Sequence, residues 1–347
     1  MHSQQFAVSI TNVRSAQRTR VRTRNVLAPA ATALALMLAA LPAAAQRAEM
    51  PPGLTTGEHT ATINGVRLWY RVAGSGRAGA APVVFLPGGP GRNSYDFEQV
   101  PGPRLERGLR MVYFHPRGTG KSERPASGDY AIATMVEDIE GLRRELGVPR
   151  IALVGHSFGG LMALEYAAKY PERVSRIVFA DGMWDTALQC RGRRERLIRA
   201  FPALRERILA DTLDEQGKRR SDCDLEFRVL RGPEREAFND AAVFRDTLAR
   251  NRLAELDRAS GMPNTGEMGR ALFRAGLLQY RFNRLDRLTM PVLVLVGRYD
   301  GVGGMDAWRT LARRLPRGRF VELEESGHFT YLDEPERFAR EVIGFLD

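Results

Sequence analysis

IALVGHSFGG, residues 151–160, decides how the rest of the chain is read. Its first four residues are apolar, and the run is too short and too β-branched for a helix, so the pattern predicts a buried strand. LMALEYAAKY (161–170) follows with helical apolar spacing. Between them stands Gly155-His156-Ser157-Phe158-Gly159, the G-x-S-x-G pattern at a strand-to-helix junction. A turn this sharp holds the serine at positive φ and leaves no room for side chains on either flank, hence the glycines. It lifts the hydroxyl clear of the backbone. It also aims the next amides, starting with Phe158, and the helix N-terminus at whatever the serine attacks. A plain turn of small residues could carry the same five letters, so the reading depends on the remaining chain.

Outward from that junction, strands and helices alternate. Residues 60–72 are β-branched and alternating, with Asn64-Gly65 between two runs, which predicts a hairpin. Further strands are expected at 82–86, 110–115, 174–180, 291–297 and 319–323, and helices at 131–146, 305–315 and 334–346. Nearly all-apolar strands separated by helices imply a mostly parallel sheet covered by helices on both faces, an α/β class. Ligands on such sheets bind at the carboxyl ends of the strands. Residues 183–288 break the alternation. They are Arg/Glu/Leu-rich with helical periodicity, and read as an all-helical insertion. The expected organisation is therefore a core of 46–182 and 289–347, with a helical cap at 183–288.

Two glycine-rich stretches invite a nucleotide-binding reading, and both fail. GSGRAG (74–79) matches G-x-G-x-x-G but leads into a strand instead of opening a helix. The GKS of residues 120–122 would need glycine at position 115, where His115 stands.

Two residues at strand ends complete a chemistry around Ser157. Asp300 follows the strand PVLVLVG, and His328 lies in the loop after the next strand. The order Ser157, Asp300, His328 is that of a serine-nucleophile triad on an α/β sheet. A serine hydroxyl attacks poorly until an imidazole takes its proton, and the imidazole needs a carboxylate to fix its tautomer. Asp181, also at a strand end, is the rival for the carboxylate. His156 adjoins the serine at a sharp turn, so its side chain points away from Ser157 and is either packed or lines the pocket. Pro87-Gly88-Gly89-Pro90-Gly91 follows another strand, and its unshielded backbone is a candidate second oxyanion donor beside Phe158.

Residues 57–345 resemble an α/β-hydrolase with a helical cap, and within that superfamily the proline iminopeptidase (prolyl aminopeptidase) group of serine peptidases. The resemblance is carried by GGPG (88–91), HPRGTGKS (115–122), GHSFGG (155–160), GRYD (297–300) and SGH (326–328). Pro87 stands where that group usually has histidine, and Phe158 where it often has tryptophan. The resemblance implies Ser157, Asp300 and His328 as catalytic triad and the amides of Gly89 and Phe158 as oxyanion hole, with no cofactor. It implies an aminopeptidase releasing N-terminal residues from short peptides. A carboxylesterase, a lactonase or a carbon–carbon bond hydrolase would share this machinery and differ in the cap. Acidic cap residues that could hold an α-ammonium include Glu195, Glu206, Glu226, Glu234, Glu236 and Glu267; most read as solvated helix faces, and none is assigned the role. A non-catalytic binding protein on the same fold would be expected to have lost a triad residue, and all three are present.

Residues 1–45 read as a signal peptide: five arginines and no acid, an Ala/Leu-rich stretch, then an A-x-A site before Gln46. The apolar run is shorter than the ~20 residues of a spanning helix, so export to the periplasm or medium is expected, without a membrane anchor. The whole chain of 347 residues has a formal charge of +11; without the five leader arginines its 52 basic residues fall to 47 against 41 acids, or +6. The remaining arginines are scattered among acids, which suits solvated helix faces and excludes a nucleic-acid patch. The expected partner is a small-molecule or short-peptide substrate. The only cysteines, Cys190 and Cys223, form a candidate disulfide in an exported chain. No Cys or His spacing suggests a metal site.

Overall fold

The computed structural model describes residues 51–347. The leader at 1–45 lies outside the described residues. One eight-stranded sheet has the order β1-β2-β4-β3-β5-β6-β7-β8. Its strands are β1 Gly57–Ile63, β2 Val66–Ala73, β3 Val83–Leu86, β4 Met111–His115, β5 Ile151–His156, β6 Val174–Ala180, β7 Val292–Gly297 and β8 Gly318–Leu323. The first two pair as the expected hairpin, β2 runs antiparallel to β4, and the rest of the sheet is parallel. Asn64 and Gly65 both take positive φ, 49° and 74°, as a two-residue hairpin turn of this twist requires.

Side chains alternate between two cores, one on each face. Along β3, Val84 and Leu86 face one core while Val83 and Phe85 face the other; β5 and β7 alternate likewise. The first face is covered by helices Ile132–Glu145, Phe158–Lys169 and Met305–Arg314. The second is covered by Pro335–Leu346 and by two short helices, Tyr95–Gln99 and Gly102–Leu105. Helices on both faces explain why the central strands carry almost no polar residue. β5 continues through Gly155 and His156, so the strand delivers the chain directly into the turn at Ser157.

The HPRGTGKS loop has a structural role. Arg117 donates two hydrogen bonds to the Asp138 carboxylate, at 2.6 and 2.7 Å, with both side chains 2% exposed. Asn64 of the hairpin donates to the same carboxylate at 2.9 Å. Asp138→Ala would leave a buried guanidinium uncompensated, and is expected to destabilise the fold by about 3–5 kcal/mol. Urea unfolding measures this; a loss under about 1 kcal/mol, the scale of a surface pair, would contradict it.

Between β6 and β7 the chain forms helices, Thr186–Gln189 through Glu267–Arg274, with a small core of Leu197, Ile208, Leu225, Val229, Leu230 and Phe238. Its only β features among the described residues are two isolated bridges, Asp185–Arg281 and Leu213–Arg219. Cys190 and Cys223 are joined as a disulfide across 33 residues. Closing a loop of that length contributes roughly 3 kcal/mol, mainly by restricting the unfolded chain. The Cys190→Ser/Cys223→Ser variant should therefore melt lower than the parent. Reductant should lower the parent's melting temperature and leave the variant's unchanged; equal melting of both would contradict a stabilising bridge.

Candidate active site

Ser157 sits at φ 52° and ψ −117°, a conformation L-residues avoid unless their surroundings enforce it. The surroundings do so. Its N–H donates to Ala180 O at 3.0 Å, and its carbonyl accepts from Gly160 and Met183 at 2.9 and 3.0 Å. The flanking glycines are sterically required: a Cβ on Gly159 would lie 1.9 Å from Leu86 O, and one on Gly155 would lie 2.4 Å from Gly159 O. Backbone of β3, the turn and the following helix thus meet with no space for a methyl group.

Three side chains from three loops converge there. His328 Nε2 lies 3.0 Å from Ser157 Oγ, and His328 Nδ1 lies 2.7 Å from Asp300 Oδ2. With Nδ1–H donated to the carboxylate, Nε2 is the lone-pair nitrogen facing the serine hydroxyl. Asp300 follows β7 and is itself held by the Val302 amide, at 2.7 Å on Oδ1. Asp300 is 7% exposed and His328 6%. The cap steadies both loops, since Ala242 O accepts from Gly301 N and Val243 O from His328 N, each at 2.8 Å.

Asp181 does not reach the imidazole. At φ 47° it turns its carboxylate to the Gly297 amide (2.8 Å) and the Thr330 hydroxyl (2.7 Å). Burial, reinforced by nearby Asp300, pushes its carboxyl well above the usual range. It braces the two loops that carry Asp300 and His328. Thr330 gave no signal in sequence, because a threonine two residues beyond a histidine has no pattern of its own. His156 is packed. Its Nε2 donates to His328 O at 2.8 Å, and burial, with the neighbouring His328, holds its pKa well below the usual value.

Gly88 is pressed against the turn: a Cβ there would lie 3.0 Å from Ser157 Cβ and 2.9 Å from His156 Nδ1. Gly89 follows at φ 115°. The cap pins this loop through Asn264 Nδ2, which donates to Pro90 O at 3.1 Å, and through Arg92, paired with Asp257 at 2.7 Å. Phe158 opens its helix, so its N–H has no carbonyl one turn earlier to occupy it.

The family model for the alpha/beta hydrolase fold matches residues 81–335. The chain belongs to the α/β-hydrolase family. It is 31% identical over 259 residues to a 2-hydroxymuconate semialdehyde hydrolase of Pseudomonas putida, covering 71% of this chain and 82% of that one. It is 25% identical over 301 residues to a proline iminopeptidase of Saccharolobus solfataricus, covering 82% and 90%. Among solved structures, a proline iminopeptidase-related protein of Thermus thermophilus matches with a TM-score of 0.66 and 26% identity over 84% of this chain and 97% of that one. The likeness to prolyl aminopeptidases drawn from the motifs is thus borne out, and the protein is a hydrolase of this superfamily.

In this α/β-hydrolase a cavity of about 460 Å³ opens from Ser157 and His328 into the cap. Its apolar wall includes Met183, Phe227, Phe273, Leu278 and Val302, and the Cys190–Cys223 bridge borders it. Of the acidic cap residues noted in sequence, Glu226 is the one on this wall. Arg193 also lines it and was not singled out, being one of four arginines in RGRRER.

Proposed function

We propose that this protein is a serine hydrolase that cleaves a carbonyl substrate through an acyl-enzyme. The observation that carries this reading is the continuous line Ser157 Oγ, His328, Asp300 at hydrogen-bond distances. Ser157 Oγ attacks the carbonyl carbon while His328 Nε2 takes its proton. Asp300 stabilises the imidazolium so formed. The amides of Gly89 and Phe158 receive the oxyanion. His328 then hands its proton to the leaving group, and the same steps with water release the acid.

The preferred substrate is an ester or amide of a small, uncharged acyl group. The cavity beside Ser157 supports this, since most of the surface it exposes is apolar. Release of N-terminal residues from short peptides is the second reading, supported by the GGPG loop and by the similarity to proline iminopeptidases. Lactone or carbon–carbon bond cleavage would use the same machinery. Export is supported by the basic and apolar leader together with a disulfide, which persists in oxidising compartments. Among the described residues, no helix is long and apolar enough to cross a membrane.

The test is a substrate panel: aminoacyl arylamides, proline first, beside 4-nitrophenyl esters of short acids. Ester turnover exceeding that of every free-amino arylamide is expected. Efficient cleavage of the prolyl arylamide with little ester turnover would replace the preferred reading by the second.

A further inference from the structure

The wall of the cavity holds a buried ion pair that the steps above do not use. Arg193 begins the helix Arg193–Ala200, and Glu226 lies in the helix Leu225–Val229. The Arg193 guanidinium donates to Glu226 Oε1 and, at 3.0 Å, to Cys223 O. Both side chains are at least nine-tenths buried. Arg193 Nε and Glu226 Oε2 have no partner among the described residues. The disulfide fixes the segment that bears both Cys223 O and Glu226, so the pair is held in register across 33 residues.

The other acids lining the cavity are also spoken for. Asp224 is paired with Arg228, and Asp181 is buried on the Gly297 amide and the Thr330 hydroxyl. A free ammonium entering this space would therefore meet no carboxylate whose charge is not already paired or buried, the open Glu226 Oε2 belonging to the group paired with Arg193. It would lose its hydration without replacement, which is costly in a low-dielectric site.

We infer that Arg193 is a specificity-determining residue: by neutralising Glu226 it makes the acyl pocket select an uncharged acyl group over one with a free amine or a free carboxylate. This rests on the serine-hydrolase reading and gives its substrate class a residue-level cause. Loss of Arg193 leaves a negative wall, and loss of the Glu226 charge leaves a positive one. The pair thus has two opposite and separately testable failures.

The test uses three 4-nitrophenyl esters of similar length, each corrected for its enzyme-free rate: hexanoate, 6-aminohexanoate and the adipate monoester, which are neutral, cationic and anionic at neutral pH. The full chain is expected to show kcat/KM at least about tenfold higher for the neutral ester than for either charged one, a factor well within the cost of one mispaired charge. Arg193→Met should raise the cationic-to-neutral ratio about tenfold, and Glu226→Gln should raise the anionic-to-neutral ratio by a similar factor. The Arg193→Met/Glu226→Gln variant removes both charges and should restore the neutral preference. Equal turnover of the three esters by the parent would overturn the inference even if no variant folded. So would ratios unchanged within twofold in variants whose melting curves show them folded. Failure of the parent to hydrolyse any ester, or to react with a fluorophosphonate, would count against the serine-hydrolase reading itself.

Discussion

Replacing Ser157 by alanine should lower kcat by roughly 10⁶-fold while leaving the melting temperature close to the parent value, because nucleophile and base act as a unit. The size follows from what is removed. Without Oγ there is no acyl-enzyme, and water must attack a carbonyl that the oxyanion donors still polarise; such donors leave a residual acceleration of about 10³–10⁴ over solution. His328→Ala should cost a similar factor, and the Ser157→Ala/His328→Ala double variant little more than either. Measured kcat on a 4-nitrophenyl ester decides this. A loss below about 10²-fold, the lower end of a general-base contribution, would mean that the bond is broken elsewhere.

The second large effect distinguishes two aspartates that the sequence presents as rivals. Asp300→Asn should lower kcat by about 10⁴-fold, since an amide can leave His328 in the tautomer that presents N–H to the serine. Asp181→Asn should cost at least about 10²-fold less than that, because its carboxylate faces the Gly297 amide and the Thr330 hydroxyl instead of the ring. Equal losses for the two variants would contradict the assignment of the ring to Asp300.

The core strands were legible because a strand buried on both faces has to be apolar along its whole length, as in VVFL of β3 and VLVLVG of β7. The turn at Ser157 was legible because contacts as close as that of Gly159 with Leu86 O admit only glycine. Helices Tyr95–Gln99 and Gly102–Leu105 were not, because four or five residues are too few to display a 3.6-residue period. Choosing Asp300 over Asp181 depended on expected position alone, since both follow strands; the direction of the His328 ring distinguishes them physically. The Arg193–Glu226 pair was out of reach. RGRRER reads as a solvated helix face and Glu226 as one of six undistinguished cap acids, and the pairing depends on packing that the disulfide and the small cap core hold across 33 residues. The general chemistry thus resides in short local patterns, and substrate choice in long-range packing.

The most direct measurement is labelling of the intact protein with a fluorophosphonate, followed by peptide mapping. One adduct per chain is expected, on the peptide containing Ser157, with no adduct on the Ser157→Ala variant. A folded parent that takes up no label, or a Ser157→Ala variant that labels as fast as the parent, would contradict a catalytic serine at this turn.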